Sequence, residues 1–286
     1  MTTNLIMQSP ALDLALIDQA AALAQANGVK WLSKSAARLI DVQATEDEQT
    51  LVKAWSKERH IDIAFVDASA RLSDCKILAM DMDSTLINIE CIDEIAAYAR
   101  VKAEVAAITE RSMRGEITEF ADSLRLRVGY LAGLSHDALG AVYAQRLSLN
   151  PGAERLISAA QKAGLKTLLV SGGFTYFTEK LKDKLGFDQA HANTLEVDRR
   201  GKLTGRVSGP IIDAQGKANI LADFADRHDA RPEQIIAIGD GANDLKMLAL
   251  AHYSVAYHAK PVVAQSARFA LDYSPLDAVL NWFGDN

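Results

Sequence analysis

The sequence predicts an α/β protein: a Rossmann-like parallel sheet core with a helical cap insertion, preceded by a small α+β module. Three observations predict it. Short continuous apolar runs recur at Ile77-Leu78-Ala79-Met80, Thr167-Leu168-Leu169-Val170 and Ile235-Ile236-Ala237-Ile238, as strands covered on both faces require. Helical segments separate these runs, Gly152 to Ala163 and Lys217 to His228 among them, and strands alternating with helices build a parallel sheet. Each run ends in a small polar cluster, DMDST, SGG and GDGAND in turn. Open parallel sheets bind ligands outside the carboxyl ends of their strands, so three such clusters point to one site.

Taken in order, the chain opens with a strand from Asn4 to Met7 and a helix from Leu12 to Ala26, stopped at Asn27-Gly28. Extended runs follow at Val29 to Leu32 and Ala37 to Val42. Thr45-x-x-Glu48 is a capping box that starts a helix reaching about Lys57, and Ile61 to Val66 reads as a strand. The order βαββαβ predicts a ferredoxin-like module over residues 1–70. This pattern resembles the ACT-type domains found beside amino-acid enzymes.

Residues 71–286 form the second unit. Beyond its three main strands, further strands are expected at Tyr253 to Tyr257 and Phe269 to Tyr273. Two insertions interrupt it. Glu90 to Asn150 is largely helical and is the natural cap over the site, at about residues 90–150. Leu195 to Gly209 contains a turn signal between two short extended runs and reads as a hairpin.

Composition bounds the function. The chain has 286 residues, 49% hydrophobic and 24% charged, with a net charge of -6, which argues against a nucleic-acid surface and leaves room for a small anionic substrate. The start lacks the basic and apolar segments of a signal peptide, and no apolar stretch is long enough to span a bilayer. Cys75 and Cys91 form no Cys-x-x-Cys pair, so a reduced cytoplasmic protein with two packing thiols is expected.

Asp81 and Asp83 carry the chemistry. A phosphate dianion meets a bare carboxylate with repulsion of roughly 4 kcal/mol per charge pair at about 4 Å and an effective dielectric near 20, so such a pair needs a cation. Oxygen-rich ligation favours Mg²⁺, and Asp240 and Asp244 at another strand end can complete its site. Ser171 offers a hydroxyl, and Gly172 lets backbone N–H groups approach a phosphate closely. Lys217 adds a cation. Taken singly, an Asp-x-Asp run is more often a surface turn or helix cap, and a lone lysine is more often solvated. Placement at three strand ends distinguishes this set.

DMDST, VSGGF, Lys217 and GDGANDLKML together resemble the four motifs of the haloacid dehalogenase superfamily, from Lys76 to about Asp277. Within it the chain is most similar to the phosphoserine phosphatases. The resemblance implies that Asp81 is the nucleophile of an aspartyl-phosphate intermediate and that Asp83 protonates the leaving serine oxygen, then deprotonates water. It implies that Ser171 and Gly172 hold phosphoryl oxygens, that Lys217 neutralises charge, and that Asn243 positions phosphate. Mg²⁺ would be held by Asp81, the Asp83 main-chain carbonyl and Asp240, with Asp244 supporting the metal shell. The implied reaction is Mg-dependent hydrolysis of O-phospho-L-serine to L-serine, the last step of serine biosynthesis. Asp83, an acid/base, favours phosphatase or mutase chemistry.

A selective pocket for phosphoserine also needs one anion and one cation for the amino-acid end. Glu90 can pair with an ammonium or cap the helix that follows. Arg127 shares a helix face with Phe120, Leu124 and Leu131, where an unpaired guanidinium is costly unless it meets an anion; Arg125 points elsewhere. The family pattern places Glu90, Phe120 and Arg127 at this end, although the connection from Met113 to Phe120 is one residue longer here. Phosphotransfer to another alcohol, a phosphatase acting on phosphothreonine or another small phosphate ester, an amino-acid-sensing regulatory protein and a catalytically dead interaction protein are the competing readings. A homodimer is left open.

Overall fold

The computed structural model describes residues 2–114 and 116–284. Their first sheet contains β1 (Thr3–Gln8), β2 (Ala26–Ser33), β3 (Ala36–Val42) and β4 (Asp62–Asp67), with α1 (Leu14–Leu23) and α2 (Glu46–Glu58) between them. The strands lie in the order β2-β3-β1-β4 and pair antiparallel, as the βαββαβ order predicts. The capping box forms: Thr45 N–H donates to Glu48 Oε2 at 2.8 Å, and Glu48 N–H to Thr45 Oγ1 at 3.3 Å. Alternation along β1 sends Leu5 and Met7 toward the helices and Ile6 to the opposite face. The first helix is shorter than expected. Gln25 turns the chain at φ 51, and Asn27-Gly28 lies inside β2 instead of stopping the helix. Asn27 Nδ2 is held there by Asp41 Oδ2 at 2.7 Å.

The second sheet starts with β5 (Ile77–Met80). The chain then builds the cap, α3 (Cys91–Tyr98), α4 (Lys102–Met113), α5 (Phe120–Gly129) and α6 (Asp137–Gln145). It returns through α7 (Ala153–Lys162), β6 (Lys166–Phe174), α8 (Thr175–Leu185) and the hairpin β7 (Gln189–Val197) and β8 (Leu203–Ser208). α9 (Ala214–Arg227), β9 (Ile235–Gly239), α10 (Leu245–Leu248), β10 (Tyr253–Tyr257), α11 (Pro261–Ser266) and β11 (Phe269–Leu271) complete the unit, before a closing 3-10 segment Leu276–Trp282. The strand order is β11-β10-β9-β5-β6-β7-β8, parallel except for β8. Ile77 and Ala79 pack with α9, and Leu78 and Met80 pack with α7 and α8, all fully buried. Full burial of one such aliphatic side chain is worth about 1.5–3 kcal/mol, which is why these runs show no polar alternation.

The cap is fastened at three places. Its two linkers pair at Ile87 and Leu149, and Asn150 Nδ2 donates to the carbonyls of Thr85 (2.8 Å) and Ile87 (3.1 Å). The β7–β8 hairpin reaches over to the loop after α5. Gly133 N–H donates to Leu203 O and Leu203 N–H to Leu134 O, both at 2.8 Å, and His136 N–H donates to Gly201 O at 2.9 Å.

The small sheet packs on the same face of the core as α7 and α8, with Ile6, Ala64 and Val66 entering the main apolar cluster. Polar contacts border this seam. Asp62 accepts from the N–H groups of Asp272 (2.8 Å) and Tyr273 (3.0 Å), and Arg38 donates to the carbonyls of Asn281 and Phe283 (2.9 Å each). Among the described residues, no helix is long and apolar enough to cross a membrane.

Candidate active site

Three strands of the second sheet deliver their carboxyl ends to one cleft of about 550 Å³ under the cap. Asp81 leaves β5 and donates its N–H to Ile238 O at 2.9 Å, fixing it to the neighbouring strand β9. The next five residues, Met82–Leu86, coil into a wide turn in which Asp83 stays extended and Ser84 takes φ 56. That turn places Asp81 and Asp83 on the same cleft. Cys91 N–H, at the start of α3, donates to Asp83 Oδ1 at 3.2 Å.

At the end of β6, Ser171 Oγ accepts from Gly173 N–H at 2.8 Å, which leaves the hydroxyl proton free for an anion. Asn193 on β7 ties this loop down, donating to Gly172 O at 2.9 Å and accepting from Ile212 N–H at 2.8 Å. Phe120 comes down from the cap onto Gly172, where a Cβ would lie 3.1 Å from its ring. At the end of β9, Asp244 Oδ2 accepts from the N–H groups of Asp240 (3.2 Å) and Gly241 (3.0 Å). Asp240 Oδ1 accepts from Thr85 Oγ1 at 3.3 Å.

Lys217, fully buried on α9, joins the strand ends: its Nζ donates to Asp81 Oδ1 at 2.6 Å and to Asp244 Oδ1 at 2.7 Å. Burial alone would depress its pKa, but Asp244 and Asp81 more than reverse that, so Lys217 stays charged. Burial, then the carboxylate of Asp244, pushes Asp81 up against the pull of Lys217. Burial and Glu90 push Asp83 up to about 7, and burial with Asp244 and Glu90 pushes Asp240 up to about 6. Burial is the largest cause of each carboxyl shift, and the excess of neighbouring carboxylates over the buried Lys217 adds to it.

A hard cation answers that excess. Asp81, Asp240 and Asp244 can each bring one oxygen within 4.8 Å of the others. Both Asp244 oxygens already hold Lys217 and backbone N–H groups, so Asp81 and Asp240 are the carboxylates with capacity left. An all-oxygen set of this size fits a hard divalent metal.

The residues expected to meet the amino-acid end of a substrate lie on the cap. Glu90 occupies the N-cap position of α3, but its side chain makes no capping bond; Oε1 accepts from Ser84 Oγ at 2.8 Å. Arg127 lines the cleft, while Arg125 is solvated and paired with Asp122 at 3.0 Å. The cleft therefore brings together Asp81, Asp83, Glu90, Phe120, Arg127, Ser171, Gly172, Asp240 and Asn243, with Lys217 behind Asp81. The longer connection before Phe120 contains Gly115, which lies outside the described residues. Sequence reasoning missed Asp93, Asn193 and Lys260. Asp93 was within reach, because it stands three residues after Glu90 on the same helix face. Asn193 arrives from β7 and Lys260 from the loop between β10 and α11, both distant in sequence, and they carry no local signal.

The family model of the haloacid dehalogenase-like hydrolases matches residues 78–249, and that of a domain of unknown function (DUF4072) matches residues 5–50. A phosphoserine phosphatase of a Polaromonas species is 53% identical over 214 residues, 73% of this chain and 90% of the relative. The unliganded crystal structure of a probable phosphoserine phosphatase from Vibrio cholerae superposes with a TM-score of 0.82 at 36% identity, covering 98% of this chain and 86% of the other. A phosphoserine phosphatase holding a phospho-aspartyl intermediate analogue superposes with a TM-score of 0.68 at 38% identity, over 73% of this chain and 99% of the other.

Proposed function

The chain belongs to the phosphoserine phosphatase family of the haloacid dehalogenase-like hydrolases, and from that membership we propose that it hydrolyses O-phospho-L-serine through a phosphoaspartate on Asp81. The observation that carries the reading is the layout of a single cleft. Asp81, Asp83 and Ser171 line it from the strand ends, and Glu90 and Arg127 line it from the cap.

Asp81 Oδ1 is held by Lys217, so Oδ2 is the oxygen that attacks phosphorus. The bond from phosphorus to the serine oxygen breaks, and Asp83 gives that oxygen its proton. Water then attacks the phosphoaspartate, its proton passes to Asp83, and phosphate leaves with Asp81 restored. A group pushed up to about 7 can hold a proton for the first half and accept one in the second near neutral pH. The Ser171 hydroxyl and the backbone around Gly172 receive phosphoryl oxygens, Asn243 positions them, and Lys217 balances the charge on Asp81. Asp81, the Asp83 main-chain carbonyl and Asp240 would hold Mg²⁺, which supplies charge neutralisation between phosphate and carboxylate. Glu90 takes the substrate ammonium, Arg127 its carboxylate, and Phe120 covers the site.

Residues 1–70 are the ACT-like domain in this reading, and residues 71–286 the phosphatase domain with its cap at about 90–150. Serine release is the last step of serine biosynthesis. We place the enzyme in the cytoplasm, where a protein with two buried cysteine thiols, Cys75 and Cys91, is at home.

The test is phosphate release from O-phosphoserine by the full chain with Mg²⁺ and with a chelator. Turnover is expected only with the metal, and Asp81→Asn is expected to abolish it. Normal turnover by Asp81→Asn would refute the nucleophile.

A further inference from the structure

Glu90 and Asp93 stand one turn apart at the start of α3, where Asp93 N–H donates to Glu90 O at 3.1 Å, and both side chains line the cleft with Arg127. Glu90 is fixed by Ser84 Oγ and turned toward the Asp83 end. The Asp93 carboxylate makes no hydrogen bond or ion pair among the described residues, although it is half-buried. Arg127 donates Nε–H to Ser123 O at 3.3 Å and likewise has no ion-pair partner among them. Burial lowers the Arg127 pKa, and the charges opposing that are Asp93, then Glu90, then Asp83. Asp93 is thus the carboxylate that Arg127 feels most. The amino-acid end holds one guanidinium and two carboxylates, one negative charge more than a zwitterion requires.

We propose that Asp93 is a specificity residue: with Glu90 it cradles the substrate ammonium, and it excludes phosphorylated acids that lack one. This rests on the phosphoserine reading of the site. An ammonium carries three N–H donors, and one carboxylate on a single side leaves the others without a charged acceptor. A second carboxylate one helical turn away supplies it. Arg127 cannot make the discrimination, because it grips the carboxylate of an amino acid and of a hydroxy acid equally well. A phosphorylated hydroxy acid would leave Glu90 and Asp93 uncompensated beside its own carboxylate, and that like-charge contact rejects it.

Asp93→Asn in the full chain keeps the shape and removes the charge. Its kcat/KM is measured on O-phosphoserine, phosphoethanolamine (ammonium alone), 3-phosphoglycerate (carboxylate alone) and p-nitrophenyl phosphate (neither). Loss of one charge-assisted hydrogen bond predicts a fall of about tenfold on the two ammonium substrates, through KM. The 3-phosphoglycerate value rises, and p-nitrophenyl phosphate is unchanged, which also reports an intact fold. An equal fall on all four esters, or an unchanged ratio of phosphoserine to 3-phosphoglycerate, overturns the assignment. A wild type inactive on O-phosphoserine overturns the reading beneath it, whatever the variant does.

Discussion

The side chain of Asp83 is boxed in by its neighbours as well as hydrogen-bonded by Cys91. A Cβ on Gly173 would lie 2.6 Å from Asp83 Oδ2 and 3.0 Å from Ser171 Oγ, so only glycine lets the acid/base and the phosphate hydroxyl face each other. Gly173→Ala must therefore push Asp83 aside. Misplacement of a reacting group by about an ångström costs on the order of 100-fold in rate. The loss in kcat should be of that size on O-phosphoserine and smaller on p-nitrophenyl phosphate, whose phenolate leaves without a proton. Steady-state rates on both esters decide it, and an equal loss on both would show that the proton to the leaving group is not what Gly173 protects.

Hairpin and cap meet where α5 ends. Gly205 on β8 has φ +80, and a Cβ there would lie 2.9 Å from Ala132 Cβ and 3.2 Å from Gly129 O. Gly205→Val therefore drives the hairpin off the cap and breaks the three backbone bonds to residues 133–136. Hydrogen exchange of the Gly133 and His136 amides should quicken by at least tenfold, and melting should move down with a cost of about 1–3 kcal/mol. Unchanged protection there would mean that the hairpin does not hold the cap. Such element-level fastening marks the limit of what the sequence discloses. Buried strands and their polar ends are local signals, so Asp81, Ser171 and Asp240 could be placed from β5, β6 and β9 alone. The α1 terminus was misplaced because Asn27-Gly28 suits a turn, yet its strand pairing with β3 overrode that local preference. No expectation covered α8, and the read hairpin proved to begin at Gln189 and to extend the main sheet, because pairing with β6 is a long-range choice. Asn193 and Lys260 were hidden for the same reason.

Across the whole molecule, the seam between the two sheets combines apolar contact with polar contacts that are not all complete. Gln8 Nε2, Arg38 Nε and Trp282 Nε1 are buried there without an acceptor among the described residues, each costing about 1–3 kcal/mol. Asp62 works the other way, accepting two backbone N–H groups from the segment after β11. Burial nevertheless raises its pKa, outweighing those hydrogen bonds. The folded protein therefore binds the Asp62 proton more tightly than the unfolded chain, whose carboxylates titrate near about 4. Its contribution to stability is full below that pH and is lost as pH rises through the folded value. Asp62→Asn is neutral at every pH and cannot accept from both N–H groups equally well. Wild type should be the more stable at pH 4, and its advantage over the variant should shrink toward pH 7, all other carboxylates cancelling in the difference. Thermal melts of the two proteins at both pH values measure this, and an advantage that grows with pH would mean that the seam favours the ionised carboxylate.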